Sequence, residues 1–155
     1  MVARLLNRKI YLSLLMALLV IVVSSGCAIT LVSKYDEKTE NYASDFRTQV
    51  DTFLTALERN AGEPVKPEAT YAQNTKFYDD ASITIRGMHN RATQIDKNKI
   101  TVQQIEALMD NVNTLEALHK LGPISPDNIA STRSSFESIC GAIIKFEILK
   151  KRGDS

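Results

Sequence analysis

The fold is decided by a stretch in the second half of the chain, residues 100–123, which reads ITVQQIEALMDNVNTLEALHKLGP. Its aliphatic residues recur at steps of three and four, namely Val102, Ile105, Leu108, Val112 and Leu115. That spacing places them on one face of an α-helix with 3.6 residues per turn. Gly122 and Pro123 then follow, as is typical of a helix C-terminus. The stretch predicts an amphipathic helix that must bury one face against other elements.

The start of this helix is marked by polar residues. Asp96–Lys99 is a polar turn, and Thr101 with Gln104 has the spacing of a capping box. Ile100 and Ile105 flank the box and are expected to pack as a hydrophobic staple. Further upstream, Thr70 and Gln73 have the same spacing and predict the start of another helix.

Three other segments show the same period, so four helices are expected in all. The first covers about residues 34–61, with Tyr42 and Phe46 on its apolar face, and ends before Gly62 and Pro64. The second runs from residue 70 to about residue 95, and the fourth begins at Ser125-Pro126, with Ser125 as its cap. No segment alternates as a strand would. We therefore predict an all-α antiparallel four-helix bundle of up-down topology over residues 34–153.

The first 26 residues have the plan of a secretory signal. Arg4, Arg8 and Lys9 open the chain, a nearly continuous apolar run fills residues 10–23, and small residues follow. Basic residues stay on the cytoplasmic side while the remainder is drawn across the membrane. The segment predicts export of everything that follows it.

Val23-Ser24-Ser25-Gly26-Cys27 resembles the lipobox of bacterial lipoproteins, although Ser24 stands where that motif prefers Leu. The resemblance implies cleavage between Gly26 and Cys27, with lipid attached to Cys27. Residues 1–26 are then the signal peptide and residues 27–33 a short lipid-anchored tether. Ala28 after the cysteine favours the outer membrane, facing the periplasm, over the inner membrane by the same resemblance.

An uncleaved signal anchor is the alternative interpretation of the N-terminal segment. Residues 10–32 are nearly continuous in apolar character, and these 23 residues are long enough to span a bilayer. Both interpretations place the helical domain outside the cytoplasm.

Charge argues against nucleic acid as a partner. Residues 1–26 contain three of the 19 basic residues and none of the 18 acidic ones, so the remainder carries 16 basic and 18 acidic residues. A nearly neutral domain without a basic block has no electrostatic basis for binding nucleic acid. It also has no polybasic run beside the anchor to bind anionic lipid.

Cysteine usage excludes an internal disulfide if Cys27 is acylated, because Cys140 then has no partner in the chain. Cys140 lies four residues after Phe136 and three before Ile143, on the apolar face of the fourth helix. We expect it to be buried and inert, as a small hydrophobic residue.

The search for catalytic chemistry gives one pair to test, Glu116 and His119. E-x-x-H on a helix is half of a di-iron carboxylate signature, but no second copy exists, because Arg86 stands three residues before His89. The plainer interpretation is that His119 caps the end of its own helix. We predict no catalytic residues, no metal, no cofactor and no enzyme activity.

A second resemblance concerns the start of the helical domain. Tyr35-Asp36, followed by an aromatic-rich first helix, is similar to small helical lipoproteins of Gram-negative bacteria. It supports a lipoprotein and implies no particular activity.

The expected function is a non-enzymatic binding or scaffold module, attached to membrane lipid through Cys27, with an envelope protein as partner. Phe77 and Ile83 fall off the apolar face of the second helix, so they form the candidate partner patch if both are exposed. The alternative is a small-ligand carrier with a pocket between helices.

Overall fold

The computed structural model describes residues 32–61 and 64–153, and every regular element within them is helical. The α-helices are α1, Glu37–Asn60; α2, Tyr71–Thr93; α3, Lys99–Leu121; and α4, Pro126–Gly153, with a 3-10 helix at Pro67–Ala69. The all-α prediction is confirmed. The predicted signal peptide and most of the predicted tether, including Gly26 and Cys27, lie outside the described residues.

The four helices pack in a ring. Each helix contacts the next one along the chain, and α1 also packs closely against α4. The connections are short, and hydrogen bonds join the start of α1, the end of α2, the start of α3 and the end of α4. Neighbouring helices therefore run antiparallel, which confirms the up-down four-helix bundle.

The predicted apolar faces form the core. Ile105, Leu108 and Val112 of α3 are at most 1% exposed. From α1 and α4, the rings of Phe46 and Phe136 meet with their centroids 6.3 Å apart. Fully burying a side chain of this kind stabilises the fold by roughly 1.5–3 kcal/mol relative to leaving it exposed. Tyr42 was expected in the same face but is 44% exposed, because the buried line of α1 passes through Ala43 instead.

The caps of α1 and α4 come from side chains just before each helix. The Asp36 carboxylate accepts a hydrogen bond from the Lys38 amide at 3.3 Å, so α1 begins at Glu37 rather than Lys34. The Ser125 hydroxyl accepts one from the Asn128 amide at 3.3 Å, as predicted for the start of α4.

Neither predicted capping box forms. α3 begins at Lys99, and Thr101 is fully buried and donates to Glu147 instead of capping. Ile100 is 46% exposed, whereas Ile105 is fully buried. The Thr70 hydroxyl donates to the Pro67 carbonyl at 2.6 Å and accepts no capping bond from α2.

α3 ends where the sequence predicts. Gly122 has φ 155°, a backbone conformation that side-chain-bearing residues rarely adopt, so glycine releases the chain from α3 towards Pro123. Among the helices of the described part of the chain, none combines the length and the apolar content needed to cross a bilayer.

Candidate functional site

A cluster of buried polar side chains, here called the polar cluster, lies at one end of the bundle. Its centre is an ion pair within α4, in which the Lys150 Nζ atom lies 2.6 Å from Glu147 Oε1. Glu147 is fully buried and Lys150 is 5% exposed. Two charges removed from water to this extent require further hydrogen bonds to be tolerated.

Neighbouring helices supply those hydrogen bonds. Lys150 Nζ also donates to Asn98 Oδ1 at 2.9 Å and contacts Thr101 Oγ1 at 3.1 Å. Glu147 accepts from the Thr101 hydroxyl at 3.1 Å and from the backbone amide of Asp36 at 3.0 Å. The ion pair therefore connects the last turns of α4 to the start of α3 and to the segment before α1.

A second ion pair completes the polar cluster. Arg91 near the end of α2 donates from Nε and Nη2 to the two Asp36 carboxylate oxygens, at 2.8 and 2.7 Å. Thr39 donates to the same carboxylate at 2.8 Å. The hydrogen bonds from Arg91 are the main cause that lowers the pKa of Asp36 below its ordinary 3.8. Ser33 joins the network by donating to Asn98 at 2.8 Å.

Sequence reasoning missed the polar cluster, although a signal for it was present. The buried positions of α4 continue from Cys140 through Ile143 to Glu147 and Lys150, at steps of three and four. Two charged residues on the apolar face of a helix indicate a buried pair. Lys150 by itself is also typical of the last turn of a helix, where positive charge is favoured, and this conceals the pair.

The opposite end of the bundle carries a cluster of rings, the aromatic cluster, made of Phe53, Tyr71, Phe77, Tyr78 and His119. The Phe53 and Phe77 rings stack with centroids 3.7 Å apart, and Tyr78 meets both rings edge-on. Burial raises the pKa of Tyr78 well above its ordinary value. Stacking and burial fix the rings of α1, α2 and α3 against one another.

His119 is at the centre of the aromatic cluster and is 1% exposed. Its Nε2 atom lies 2.9 Å from the Ala69 carbonyl, which can only accept, so Nε2 carries the proton. Its Nδ1 atom then accepts from the Tyr78 hydroxyl at 2.7 Å. His119 does not cap α3, as the sequence suggested, but holds the 3-10 helix of residues 67–69 to the bundle.

Glu116 is not brought into a shared site with His119. Its carboxylate accepts from the Tyr71 hydroxyl at 2.8 Å and pairs with Lys120 at 2.8 Å. Those two partners, Lys120 first, lower the pKa of Glu116. Across residues 32–61 and 64–153, no group of three or more His, Cys, Asp and Glu side chains is placed to hold a metal ion.

The candidate partner patch is divided by the structure. Phe77 is half-buried, stacked on Phe53 and packed against the core, so it does not meet the condition of exposure that the patch requires. Ile83 is 61% exposed on the outer side of α2. Leu121 at the end of α3, which the sequence did not single out, is 87% exposed.

Two grooves lie between α2 and α3. The larger, about 370 Å³, is open to solvent near the polar cluster, and its lining includes Asn98, Lys99 and Glu106. The smaller, about 100 Å³, is lined by Ser82, Ile85, Arg86, Met109, Val112 and Asn113. A small-ligand carrier requires an enclosed apolar pocket, and neither groove is of that kind.

Cys140 lies where the sequence predicts, fully buried on the core face of α4. Burial raises the pKa of its thiol to about 11, so almost none of it is thiolate at neutral pH.

Comparison of the chain with family models, curated proteins and solved structures finds no match.

Proposed function

We propose that this chain is a cell-envelope lipoprotein, held to a membrane by lipid on Cys27, whose bundle is a non-enzymatic binding or scaffold module. The lipobox-like Ser24-Ser25-Gly26-Cys27 sequence supports the anchor. Ala28 supports the periplasmic face of the outer membrane as its location.

The observation that carries the binding module is an apolar side chain exposed on a rigid helix. Ile83 is 61% exposed, whereas its neighbours on α2, Tyr78, Ile85 and Met88, are at most 2% exposed. Ser82, the residue before Ile83, lines the small groove together with Ile85 and Val112. An exposed aliphatic residue on a helix that also lines a partly apolar groove suits a short apolar segment of a protein partner.

The buried polar groups support a structural rather than a catalytic use of the interior. Glu147 and Lys150 join three chain segments, and His119 uses both ring nitrogens to hold Tyr78 and the Ala69 carbonyl. A general base needs a free lone pair within reach of a substrate proton. Neither ring nitrogen of His119 offers one in this arrangement.

The anchor is tested by counting free thiols in denaturant. The chain has two cysteines, so a thiol-linked lipid on Cys27 leaves one reactive thiol, whereas an uncleaved signal anchor leaves two. Mass spectrometry of the same sample is expected to show a chain beginning at Cys27 with a fatty-acid adduct. An intact N-terminus with two free thiols contradicts the anchor.

The binding module is tested with a photo-crosslinking amino acid at position 83 in intact cells. The matched control is position 145, because Lys145 is exposed on α4, which does not contact α2 in the ring. We expect a discrete adduct from position 83 only, and Ile83→Asp is expected to lose the crosslinked protein in affinity purification from membranes. Equal adducts from both positions, or retention by Ile83→Asp, contradict the patch.

A further inference from the structure

The polar end of the bundle gathers exposed basic residues that are far apart in the sequence. The three segments that meet there are residues 32–38, 93–100 and 149–153, and their exposed residues are here called the basic face. Six of these exposed residues are basic, namely Lys34, Lys38, Lys97, Lys99, Lys151 and Arg152. Because each segment contributes only two, the sequence shows no polybasic run.

The basic face has a local excess of positive charge. Its six exposed basic residues stand against two exposed acidic ones, Glu37 and Asp96, which leaves four more positive than negative charges among the described residues. Residues 27–155 as a whole carry 16 basic and 18 acidic residues. The charge of the domain is therefore strongly asymmetric, and its positive potential is directed out of one end.

Exposed apolar side chains lie among these charges. Val32 is 38% exposed, Ile100 is 46% exposed and Leu149 is 50% exposed, one from each segment of the basic face. Large aliphatic side chains interspersed with lysine and arginine match the surface of a bilayer, where the apolar groups enter the boundary region and the cations meet headgroups.

The tether leads to the same end. Cys27 precedes Val32 by five residues, a reach of at most roughly 18 Å when fully extended. Ser33 and Asp36, which follow Val32, are fixed within the polar cluster. A lipid on Cys27 therefore keeps the basic face, rather than the aromatic cluster, next to the bilayer.

We propose that the basic face docks directly on anionic phospholipid headgroups, with Lys34, Lys99 and Arg152 among the contacting cations. The docking orients the bundle end-on, with its helix axes along the membrane normal, so that Ile83 on the outer side of α2 stays accessible. The tether argument rests on the proposed anchor, whereas the charge and apolar pattern do not.

The test places a polarity-sensitive fluorescent amino acid, incorporated during translation, at position 100 of the full-length membrane protein, reconstituted in phosphatidylcholine vesicles with or without phosphatidylglycerol. This probe needs no cysteine, so Cys27 and Cys140 both stay unlabelled and available for the thiol count. We expect the probe to be protected from the neutral aqueous quencher acrylamide only in the anionic vesicles. High salt is expected to restore quenching, because it screens exposed charges.

Charge-reversal variants identify the contacting end. Lys34→Glu with Lys99→Glu is expected to reduce the docked fraction by roughly tenfold or more. Arg59→Glu with Lys66→Glu makes the same charge change on exposed residues near the other end of α1, and it is expected to keep the probe protected. Circular dichroism verifies that both variants fold.

Two readouts separate the docking from the anchor. The free-thiol count of the same sample reports the state of Cys27. A single thiol with equal quenching in both kinds of vesicle overturns the docking and leaves the anchor standing. Two thiols with protection only on anionic vesicles overturn the anchor and retain the docking. Loss of protection in both variants also overturns the docking at this face.

Discussion

At the residue scale, the buried pair of Glu147 and Lys150 is the most sensitive point of the bundle. Lys150→Met leaves the Glu147 carboxylate buried without its cation, which typically costs about 3–5 kcal/mol of unfolding free energy. Adding Glu147→Gln removes the isolated charge, so the double variant is expected to be more stable than Lys150→Met alone. Urea denaturation followed by circular dichroism measures the unfolding free energy of the single and the double variant.

The control for this prediction is Lys145→Met, at an exposed lysine of the same helix. It is expected to change the unfolding free energy by less than about 0.5 kcal/mol. Additive losses in the double variant would show that the two residues are not coupled.

The lowered pKa of Asp36 predicts how the free energy of unfolding depends on pH. Its pKa is lowered in the folded state, mainly by Arg91, so its contribution is complete above the ordinary value of 3.8 and is lost as pH falls through the folded pKa. Asp36→Asn keeps a capping oxygen but removes the charge. We expect Asp36→Asn to lower the free energy of unfolding by about 1–2 kcal/mol at neutral pH. The lower value is favoured because Arg91 is 38% exposed, so solvent screens the pair.

This difference between wild type and Asp36→Asn is expected to shrink below pH 3.8. Urea titrations at neutral and acidic pH measure it, with Asp45→Asn on the exposed side of α1 as the control. A difference that stays constant into strong acid would contradict the role of the Asp36 charge.

At the scale of elements, His119 connects α3 to the 3-10 helix at Pro67–Ala69. His119→Ala leaves the Tyr78 hydroxyl and the Ala69 carbonyl without their partner, and each such buried group typically costs about 1–3 kcal/mol. We expect faster hydrogen exchange at the Ala69 and Thr70 amides, measured by mass spectrometry or NMR.

The chain offers a second histidine as the matched control. The His89 side chain is 29% exposed and lies 3.4 Å from Glu106 on the surface. His89→Ala is expected to leave the exchange of residues 67–70 unchanged. Unaltered exchange in His119→Ala would mean that the 3-10 helix is held in place by other contacts.

Helices were predictable here because apolar periodicity is a local property of the sequence. The face through Ile105, Leu108 and Val112 and the end at Gly122 both appear in the structure as the sequence indicates. The capping box at Thr101 failed because Thr101 has a partner, Glu147, 46 residues away. A local motif cannot reveal that its side chain is used by another helix.

The candidate site was less predictable for the same reason. Ile83 could be found because it breaks the period of α2, and it is exposed. Phe77 breaks the same period, yet it is covered by Phe53 from α1. The basic face could not be found, since its charges meet only once the helices are antiparallel.

At the scale of the whole molecule, Cys140 reports on global unfolding. Its side chain is fully buried and its thiol pKa is raised to about 11 by burial. We expect an aromatic disulfide reagent to react with it only as fast as the bundle opens, with a urea midpoint equal to that of circular dichroism. Ser138→Cys, exposed on the same helix, is expected to react at once.

Fast reaction of Cys140 under native conditions would show that α4 opens separately from the rest of the bundle. The ring of mutual helix contacts argues for one cooperative transition, because α4 packs against both α1 and α3.

The hydrogen bond from the Asp36 amide to the Glu147 carboxylate spans 111 positions of the chain. Translation proceeds from the N-terminus, so the residue that accepts this bond is made long after the one that donates it. A polypeptide interrupted before Glu147 lacks this hydrogen bond and holds the beginning of α1 only through contacts with earlier residues, such as that of Asp36 with Arg91. Completion of the bundle thus distinguishes finished chains from prematurely terminated ones.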